Sequence, residues 1–388
     1  MQPALTADES LHWLALRMAV GIGTRKAGRL VEVFRTPQAI FRASRSELEA
    51  AGLSAAAAQS IASGCAFEEA AQQHEKVVKE GVELVPIVDP RYPPQLRDIF
   101  DPPPLLYARG RVELLQNLMI GVVGTRRPTA YGTQVATRLS RDLSEAGLTI
   151  TSGMARGIDT AAHRAVLEGG GDTVAVFGCG VDEVYPAENR KLAETMAEKG
   201  LVISEFPMGA PPYPQNFPVR NRIISGMSCG VLVVEGGKYS GSTITAKLAS
   251  EQNREMFAVP GNVTSKMSWG PNLLIKQGAK LVQEWNDVVT ELSAENRRRL
   301  VEQRRNQLNL RENSGAESKS PFPASDIPAN ARVILRVLKH DAPVVLDALL
   351  ESLEGMDASD VIAALFELEL GGLVRQLPGK SYIKVWVE

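Results

Sequence analysis

Three loops of the sequence combine glycine or hydroxyl residues with a lysine or an arginine. Small residues let backbone N–H groups approach an anion, a following helix N-terminus favours negative charge, and a cation adds charge-assisted hydrogen bonds. One such loop would be a weak signal, but the three loops together predict a phosphate-binding surface. The residues concerned are Gly124, Thr125 and Arg126 in the first loop, Ser152, Gly153, Arg156 and Gly157 in the second, and Lys238, Ser240, Gly241, Ser242 and Thr243 in the third.

A fourth segment adds a polar cluster of Arg220, Asn221 and Arg222 shortly after Phe217. The arginines could bind phosphates or form surface ion pairs, and Asn221 could belong to the phosphate-binding surface or cap a helix. Phe217 could stack on a base or pack in the core. We interpret this cluster as part of the same phosphate-binding surface.

Acid–base catalysis has one candidate pair, Asp159 and His163, whose i,i+4 spacing places them on one helical face. The simpler interpretation is a residue at a helix N-terminus and a packed or surface histidine. The sequence has no HExxH motif, and its three cysteines are far apart. We therefore expect no enzyme, no metal site and no cofactor.

The elements that must position these loops follow a βα rhythm between residues 118 and 292. Short apolar runs predict strands at 118–123, 148–151, 173–177, 201–204, 230–234, 256–259 and 280–282. Amphipathic stretches predict helices at 133–146, 161–168, 190–199, 219–225, 243–252 and 271–277. The pattern is typical of an α/β protein with a doubly wound parallel sheet, whose ligands bind beyond the carboxyl ends of the strands. The loops described above follow those strands.

The regions that flank this core have different textures. Residues 1–85 show helical periodicity, and the turn around Gly21 and Gly23 could hold a DNA phosphate or simply join two helices. Prolines predict an irregular connector at 86–117. The core domain is predicted at 118–295, followed by a frayed helix and flexible linker at 296–326. Three helical patterns and two strands then predict a winged helix at 327–388.

The composition excludes several classes of protein. The 388 residues carry 43 Lys or Arg and 45 Asp or Glu, so the net charge is −2 and any basic site must be local. No apolar run approaches about 18 residues, and the first ten residues lack a signal-peptide pattern, so we expect neither a membrane span nor secretion. Cys65, Cys179 and Cys229 show no disulfide or zinc spacing, which indicates a reducing, cytoplasmic setting.

A dinucleotide is the obvious rival ligand, but the sequence does not support it. The loop at Gly178 and Gly180 matches only the first two glycines of G-x-G-x-x-G, and the P-loop pattern is absent. A row of cation-bearing loops suits a polymer with repeating phosphates better. The alternative function is a nucleotide-binding enzyme like the nucleoside monophosphate glycosidases. Their P-G-G-x-G-T loop corresponds here to residues 235–243, which lack the proline and are longer.

Four motifs, at residues 124–126, 152–159, 217–226 and 240–243, resemble those of the DprA family (DNA processing protein A, also called Smf), in the family's order. The resemblance covers residues 11–292 well and the tail more loosely. It implies an extended Rossmann-like core, an N-terminal helical module of the SAM or helix-hairpin-helix type, and a C-terminal winged helix. It also implies a homodimer that binds and protects incoming single-stranded DNA and loads the recombinase RecA onto it during natural transformation.

The resemblance also assigns the DNA contacts. At Arg156 many relatives have lysine, and a planar guanidinium changes the geometry of the contact. The positions that correspond to the family's contacts are Thr125, Arg126, Arg156, Gly157, Asn221, Arg222, Lys238, Ser240 and Ser242.

The predicted winged helix has the wrong charge for reading duplex DNA. Residues 326–388 carry ten acidic and six basic residues, a net charge of −4. Its predicted recognition helix, 358–370, contains no Lys or Arg, although reading a major groove normally requires Arg, Lys, Asn or Gln. We therefore expect this domain to bind protein rather than DNA.

Overall fold

The structure is a computed structural model that describes residues 5–238, 240–313, 329–339, 342–353, 356, 361, 364, 365, 368, 373–377 and 381–384. The chain forms two compact units, Met1–Gln303 and Arg304–Glu388. All four segments with predicted phosphate-binding residues belong to the first unit. Among the described helices, none combines the length and the apolar composition that crossing a bilayer requires.

One sheet organises the first unit. Its described strands are β1 (Glu83–Pro86), β2 (Leu105–Gly110), β3 (Met119–Val123), β4 (Thr149–Ser152), β5 (Thr173–Val176), β6 (Leu201–Ser204), β7 (Ser228–Val233), β8 (Glu255–Ala258) and β9 (Lys280–Leu281). Their spatial order is β1-β2-β6-β5-β4-β3-β7-β8-β9. All pairs from β6 to β9 are parallel, whereas β2 pairs antiparallel with both β6 and β1. Because β4 and β7 flank β3, the sheet is doubly wound, as predicted.

Some helices of the first unit precede the sheet in the chain, and the others alternate with its strands or follow them. The described helices of this region are α1 (Ala7–Met18), α2 (Thr24–Phe34), α3 (Pro37–Arg42), α4 (Arg45–Ala50), α5 (Ala55–Ala62), α6 (Ala66–Lys79), α7 (Pro94–Arg97), α8 (Ala130–Glu145), α9 (Ile158–Glu168), α10 (Arg190–Lys199), α11 (Asn216–Gly226), α12 (Gly241–Glu251), α13 (Trp269–Lys276), α14 (Trp285–Val289) and α15 (Ala294–Asn313). Helices α1 to α6 form the N-terminal helical module.

The two faces of the sheet have separate apolar cores. Successive side chains of a strand point to opposite faces. On one face Ala175 belongs to the cluster that includes the N-terminal helices, with Leu14 and Leu30. On the other face Val174 packs in a cluster with residues of α11 and α12, such as Ile223. Burial on both faces explains why the central strands are continuous apolar runs.

All seven predicted core strands are present, and the six predicted helices correspond to α8–α13. Five of these helices begin two or three residues earlier than predicted, whereas α10 has the predicted bounds. The early residues include glycine, serine and proline, which are typical of turns and helix starts. The predicted loop residues Phe217, Gly241 and Ser242 are therefore in the first turns of α11 and α12.

The prediction of an irregular connector is wrong for Leu105–Gly110, which forms the strand β2. Tyr107 of this strand is fully buried and pairs with Ser204 of β6. Proline cannot donate a ladder hydrogen bond, but the prolines end at Pro104, immediately before the strand begins. The prolines therefore indicated the segment that leads into a strand, and not the absence of a strand.

The first part of the predicted linker is also structured. Helix α15 extends to Asn313, and the Gln303 side chain accepts a hydrogen bond from the Leu118 N–H at 2.5 Å and donates one to the Gly147 carbonyl at 2.7 Å. These bonds hold the middle of the helix at the amino ends of β3 and β4. Residues 314–328 lie outside the described residues.

The second unit contains the winged helix. Its described elements are α16 (Ala329–Val337), β10 (Val344–Val345), α17 (Leu346–Ser352), β11 (Val374–Leu377) and β12 (Ser381–Lys384). The strands form an antiparallel sheet in the order β10-β12-β11. Val361, Leu365 and Leu368 are buried in its core with Leu349. The other residues of the predicted recognition helix, apart from Ala364, lie outside the described residues.

Candidate nucleic-acid interface

A groove of about 650 Å³ opens beyond the carboxyl end of β3, where β3 and β7 are neighbours. We call it the strand-end groove. Its lining includes residues that the sequence pattern missed, among them Arg127, Tyr185 and Ile244. The predicted site residues that line it are Gly124, Thr125, Arg126, Phe217, Arg220, Asn221, Ser240, Gly241 and Ser242.

The first and third loops are joined through Glu235. The Thr125 N–H donates to the Glu235 carbonyl at 2.7 Å. The buried Glu235 carboxylate accepts hydrogen bonds from the Thr129 N–H at 2.9 Å and from the Thr129 hydroxyl at 2.6 Å. A Cβ at Gly132 would collide with that carboxylate. The two loops are therefore fixed against each other at the point where the sheet changes its winding direction.

The second loop supports the first from behind. Gly157 has a φ of +79°, and a Cβ there would collide with the Thr125 carbonyl oxygen. The neighbouring Ile158 N–H donates to the same oxygen at 3.3 Å. Gly157 thus has a packing role that only glycine can fill. Arg156 is outside the groove lining and forms an exposed ion pair with Glu188 at 2.7 Å.

Ser152 and Gly153 are buried and have structural hydrogen bonds. The Ser152 hydroxyl donates to the Val122 carbonyl at 2.6 Å, and the Gly153 N–H donates to the Asp159 carboxylate at 3.1 Å. A Cβ at Gly153 would lie 2.5 Å from the Arg220 Nη1. This geometry favours a positioning role for both residues, and their phosphate contact stays a prediction.

Arg220 forms the floor of the groove and is only 4% exposed. Its Nη1 donates to the Gly153 carbonyl at 2.6 Å and also to the Val176 carbonyl. Burial lowers the pKa of Arg220 to about 10, against an opposing effect of Asp159, so the guanidinium stays protonated at neutral pH. Burial raises the pKa of Asp159, and Arg220 opposes that shift. The two groups are both buried beneath the site and interact electrostatically.

The possible acid–base pair has structural partners instead. The Asp159 carboxylate accepts N–H bonds from Gly153 and Ala155. His163 is fully buried, its Nδ1 is hydrogen-bonded to the Thr173 hydroxyl at 2.7 Å, and burial lowers its pKa to about 3. Asp159 therefore stabilises the start of α9, and His163 is a neutral, packed histidine.

Arg222 is placed differently from the sequence-based expectation. Its Nη2 bonds Glu205 at 2.8 Å, its Nε bonds Asp101 at 2.9 Å, and its side chain is 7% exposed. It does not line the strand-end groove among the described residues. Its DNA contact stays a prediction that this geometry does not favour, because a buried guanidinium with two carboxylate partners is already neutralised.

Two cations lie near the ring of Phe217. The Arg126 Cζ lies 5.6 Å from the ring centroid, the Arg220 Cζ lies 5.8 Å away, and the Tyr185 ring centroid lies 5.4 Å away at an angle of 39°. The Arg126 side chain is exposed, whereas Phe217 is half-buried. An aromatic ring beside an exposed cation can bind a base and its phosphate together.

The N-terminus of α12 forms the opposite wall. Ser240 is its N-cap residue, and no side chain of the described residues caps its first N–H groups. The Ser240 and Ser242 hydroxyls lie 2.7 Å apart, and the Thr243 hydroxyl donates to the Ser240 carbonyl at 2.6 Å. Uncapped N–H groups beside two hydroxyls favour an anion. Lys238 is exposed beside this wall, with its Nζ 5.1 Å from the Trp269 ring.

The fold and this site define a class: an extended Rossmann-like α/β protein with a polar, cation-bearing groove at the switch point of its sheet. The chain belongs to the DNA recombination-mediator protein A family, whose model matches residues 83–293. That match begins at β1, so it includes both antiparallel strands of the sheet. A model of the DprA winged helix domain matches residues 318–380.

Individual relatives agree with this assignment. Protein Smf of Synechocystis sp. is 34% identical over 97% of this chain and 98% of its own length, and DNA processing protein DprA of Bacillus subtilis is 45% identical over 56% of this chain and 74% of its own. The structure of DprA from Streptococcus pneumoniae has a TM-score of 0.64 and 33% identity, covering 75% of this chain and 99% of its own. DprA from Helicobacter pylori, whose structure is described for its single-stranded DNA binding mode, has a TM-score of 0.50 and 29% identity, covering 55% of this chain and 97% of its own.

Proposed function

We propose that the strand-end groove binds single-stranded DNA in the cytoplasm, without a catalytic step of its own. The observation that carries the proposal is the Arg126–Phe217 pair, with the ring centroid 5.6 Å from the guanidinium carbon, facing a groove that also contains the uncapped start of α12. The Helicobacter pylori relative, described as binding single-stranded DNA, supports the choice of ligand.

The chemistry of the groove favours a single strand over a duplex. Stacking on Phe217 requires a base whose face is free, which a paired and stacked duplex does not offer. The two cations of the groove also lie at different depths, because Arg220 is buried and Arg126 is exposed. A few phosphates beside splayed bases match this arrangement.

We assign the predicted site residues to two roles. Thr125, Arg126, Ser240, Gly241 and Ser242 line the groove and would bind phosphates, with Phe217 stacking on a base and Asn221 beside it. Arg156 and Lys238 are exposed outer cations, and the surface ion pair of Arg156 is weak enough to exchange for a phosphate. The residues with positioning roles are Gly124, Ser152, Gly153, Gly157, Arg220, Arg222 and Thr243.

A titration with oligo-dT and with duplex DNA at two salt concentrations tests this proposal. We expect preference for the single strand and a log–log salt slope of about −0.7 for each phosphate neutralised. Competition by mononucleotides tests the alternative of a nucleotide-binding enzyme. Equal binding of a mononucleotide and an oligonucleotide, or hydrolysis of the mononucleotide, would contradict the proposal.

At the level of the cell, we propose that this chain protects incoming single strands and loads RecA onto them during natural transformation, acting as a homodimer. The family description, a recombination mediator, supports this role. The test is RecA filament assembly on single strands coated by a single-strand-binding protein. We expect faster assembly in the presence of this chain and a dimeric mass by light scattering; unchanged assembly would contradict the loading role.

We further propose that the winged helix binds protein rather than DNA, because residues 326–388 have a net charge of −4. A chain that ends at Asn313 retains the whole first unit, which is compact by itself. It should bind single strands and duplex as the full chain does. Loss of duplex binding on this truncation would show that the winged helix contacts DNA.

A further inference from the structure

A second groove, of about 920 Å³, lies between the N-terminal helical module and the segment that leads into β2. We call it the module groove. One wall is α2, another is the turn that contains Gly52 and Leu53, and the third includes Val88 and Phe100. Five cations line it: Arg25, Lys26, Arg29, Arg35 and Arg97.

Most of these cations are exposed and available to a ligand. Among the described residues, no carboxylate forms an ion pair with Arg25, Lys26, Arg29 or Arg35. Glu32 is the one acidic residue of the described lining. Because the chain as a whole has a net charge of −2, this local excess of positive charge is a feature of the groove and not of the composition.

Two of the cations also hold the walls in place. The Lys26 Nζ donates to the Gly21 carbonyl at 2.9 Å, across the turn that precedes α2. The Arg97 guanidinium donates to the Ile87 and Asp89 carbonyls, both at 3.1 Å. The side chains of the remaining three, Arg25, Arg29 and Arg35, form neither an ion pair nor a hydrogen bond within the part of the chain that the structure describes.

Phe100 adds an aromatic surface. It is 79% exposed, although burying a phenylalanine stabilises a fold by about 1.5–3 kcal/mol. The Arg25 guanidinium carbon lies 4.2 Å above the centroid of its ring. An exposed ring with a planar cation on its face resembles the stacking platforms of single-strand binders, and repeats the Arg126–Phe217 arrangement of the strand-end groove.

Repeating cations beside an aromatic ring match a polymer that alternates phosphates and bases. Arg25 and Arg29 are one turn apart on α2, with a rise of about 6 Å between them. An acidic peptide would use the cations but not the ring. We propose that the module groove is a second binding site for single-stranded DNA, in which Arg25, Arg29 and Arg35 neutralise phosphates and Phe100 stacks on a base.

An ion pair links the segments that lie next to the two grooves. Phe100 of the module groove precedes Asp101, which bonds the Arg222 Nε at 2.9 Å, and Arg222 follows Asn221 of the strand-end groove. One ion pair therefore joins the residue after Phe100 to the residue after Asn221. In this proposal one strand occupies both grooves, so the inference rests on the proposed function for its ligand, although the residues of the second site are separate from those of the first.

The test compares two double variants of the full chain against short and long oligo-dT. Arg25→Glu with Arg29→Glu reverses two charges inside the groove. Arg42→Glu with Lys79→Glu makes the same change in net charge on exposed residues of the same module, outside the groove lining. The oligonucleotides are about 6 and about 30 nucleotides long, to occupy one site or both.

We expect the groove variant to bind the long oligonucleotide at least about tenfold more weakly than the control variant, with a salt slope reduced by about 1.4. Its affinity for the short oligonucleotide should match that of the control. Phe100→Ala should weaken only long-oligonucleotide binding, by about five- to a hundredfold. Thermal unfolding of each variant confirms that the module remains folded.

Equal binding of the long oligonucleotide by the two double variants would overturn the second site while leaving the proposed function intact. The acidic peptide poly-glutamate serves as a competitor. If poly-glutamate binds and no oligonucleotide displaces it, the second DNA site is overturned and the groove is identified as a peptide site. Failure of the proposed function gives a different result, in which Arg126→Ala binds the short oligonucleotide as tightly as the parent chain does.

Discussion

Helix α11 and the loops around it both contain cationic side chains, but those of the helix are buried and those of the loops are exposed. Arg220 and Arg222 of the helix are buried, and their guanidinium groups bond protein carbonyls and carboxylates. Arg126 and Lys238 of the loops are exposed and lie near aromatic rings. Depth in the structure, rather than residue type, separates cations that shape the groove from cations that are exposed to solvent.

The physical reason is desolvation. A buried guanidinium loses its hydration and must receive full compensation from fixed partners, so removing those partners or the guanidinium leaves a buried group unpaired. An exposed cation keeps its water and can exchange a weak partner for a phosphate at little cost. Substitutions of the buried arginines of α11, or of residues packed on them, should therefore change stability first. Substitutions of the exposed cations in the loops should change DNA affinity alone.

The largest expected effect is that of Arg222→Met. It leaves Glu205, 2% exposed, without its partner, and should lower the free energy of unfolding by about 3–5 kcal/mol. Urea denaturation measures the change. The double variant Arg222→Met with Glu205→Met removes both charges and should be less destabilised than the single one. A double variant that is as unstable as the sum of the single variants would show that the pair has no coupling.

A smaller loss of stability is expected for Gly153→Ala. The added methyl group would lie 2.5 Å from the Arg220 Nη1, so the guanidinium must move and the free energy of unfolding should fall by about 1–3 kcal/mol. The affinity for oligo-dT should fall with it, because Arg220 forms the groove floor. The matched control is Gly237→Ala, where no atom lies within 4 Å of an added Cβ. Unchanged stability of Gly153→Ala would mean that the floor is adaptable.

Phe217→Ala should weaken the binding of oligo-dT by about 1–3 kcal/mol, because the stacking surface between Arg126 and Tyr185 is lost. Fluorescence anisotropy measures the affinity. Phe217→Tyr keeps a ring and should bind as the parent chain does. Equal losses in the two variants would assign Phe217 to packing rather than to stacking.

The smallest effects belong to the exposed cations. Arg126→Ala, Arg156→Ala and Lys238→Ala should each reduce the salt slope of oligo-dT binding by about 0.7 and change the free energy of unfolding by no more than about 0.5 kcal/mol. Arg164→Ala, an exposed arginine of α9 outside the groove lining, is the control and should leave the slope unchanged. A slope that stays at the parent value in all three variants would remove the outer cations from the interface.

Most of the core could be predicted because its signals are local. Five of the seven predicted strands, β3–β7, are buried along their whole length. Helix α10 has its predicted bounds since a charged, amphipathic stretch lies between clear turn residues. The starts of α11 and α12 were predicted too late, because Phe217, Pro218, Gly241 and Ser242 have turn-like residue types. The strand β2 was missed because three prolines directly precede it.

The residues of the candidate site were likewise predicted only where the signal was local. Glycine-rich turns with Thr125, Arg126, Ser240 and Ser242 at strand ends could be read from spacing, and the structure brings them to one groove. Tyr185 was missed, since it lies in a loop with no glycine–cation pattern. The module groove was also missed, because its cations come from α2 and a distant proline-rich segment.

The sequence by itself determined the order of the core strands and helices, the loops that combine small residues with cations, and the family. Those properties depend on periodicity and on short motifs. Only the tertiary structure decided which arginines are buried in ion pairs. Arg222 shows why, because its two partners are distant in the sequence: Asp101 lies 121 positions away and Glu205 lies 17 positions away. Burial is set by packing between distant segments, and burial determines whether a guanidinium supports the fold or contacts a ligand.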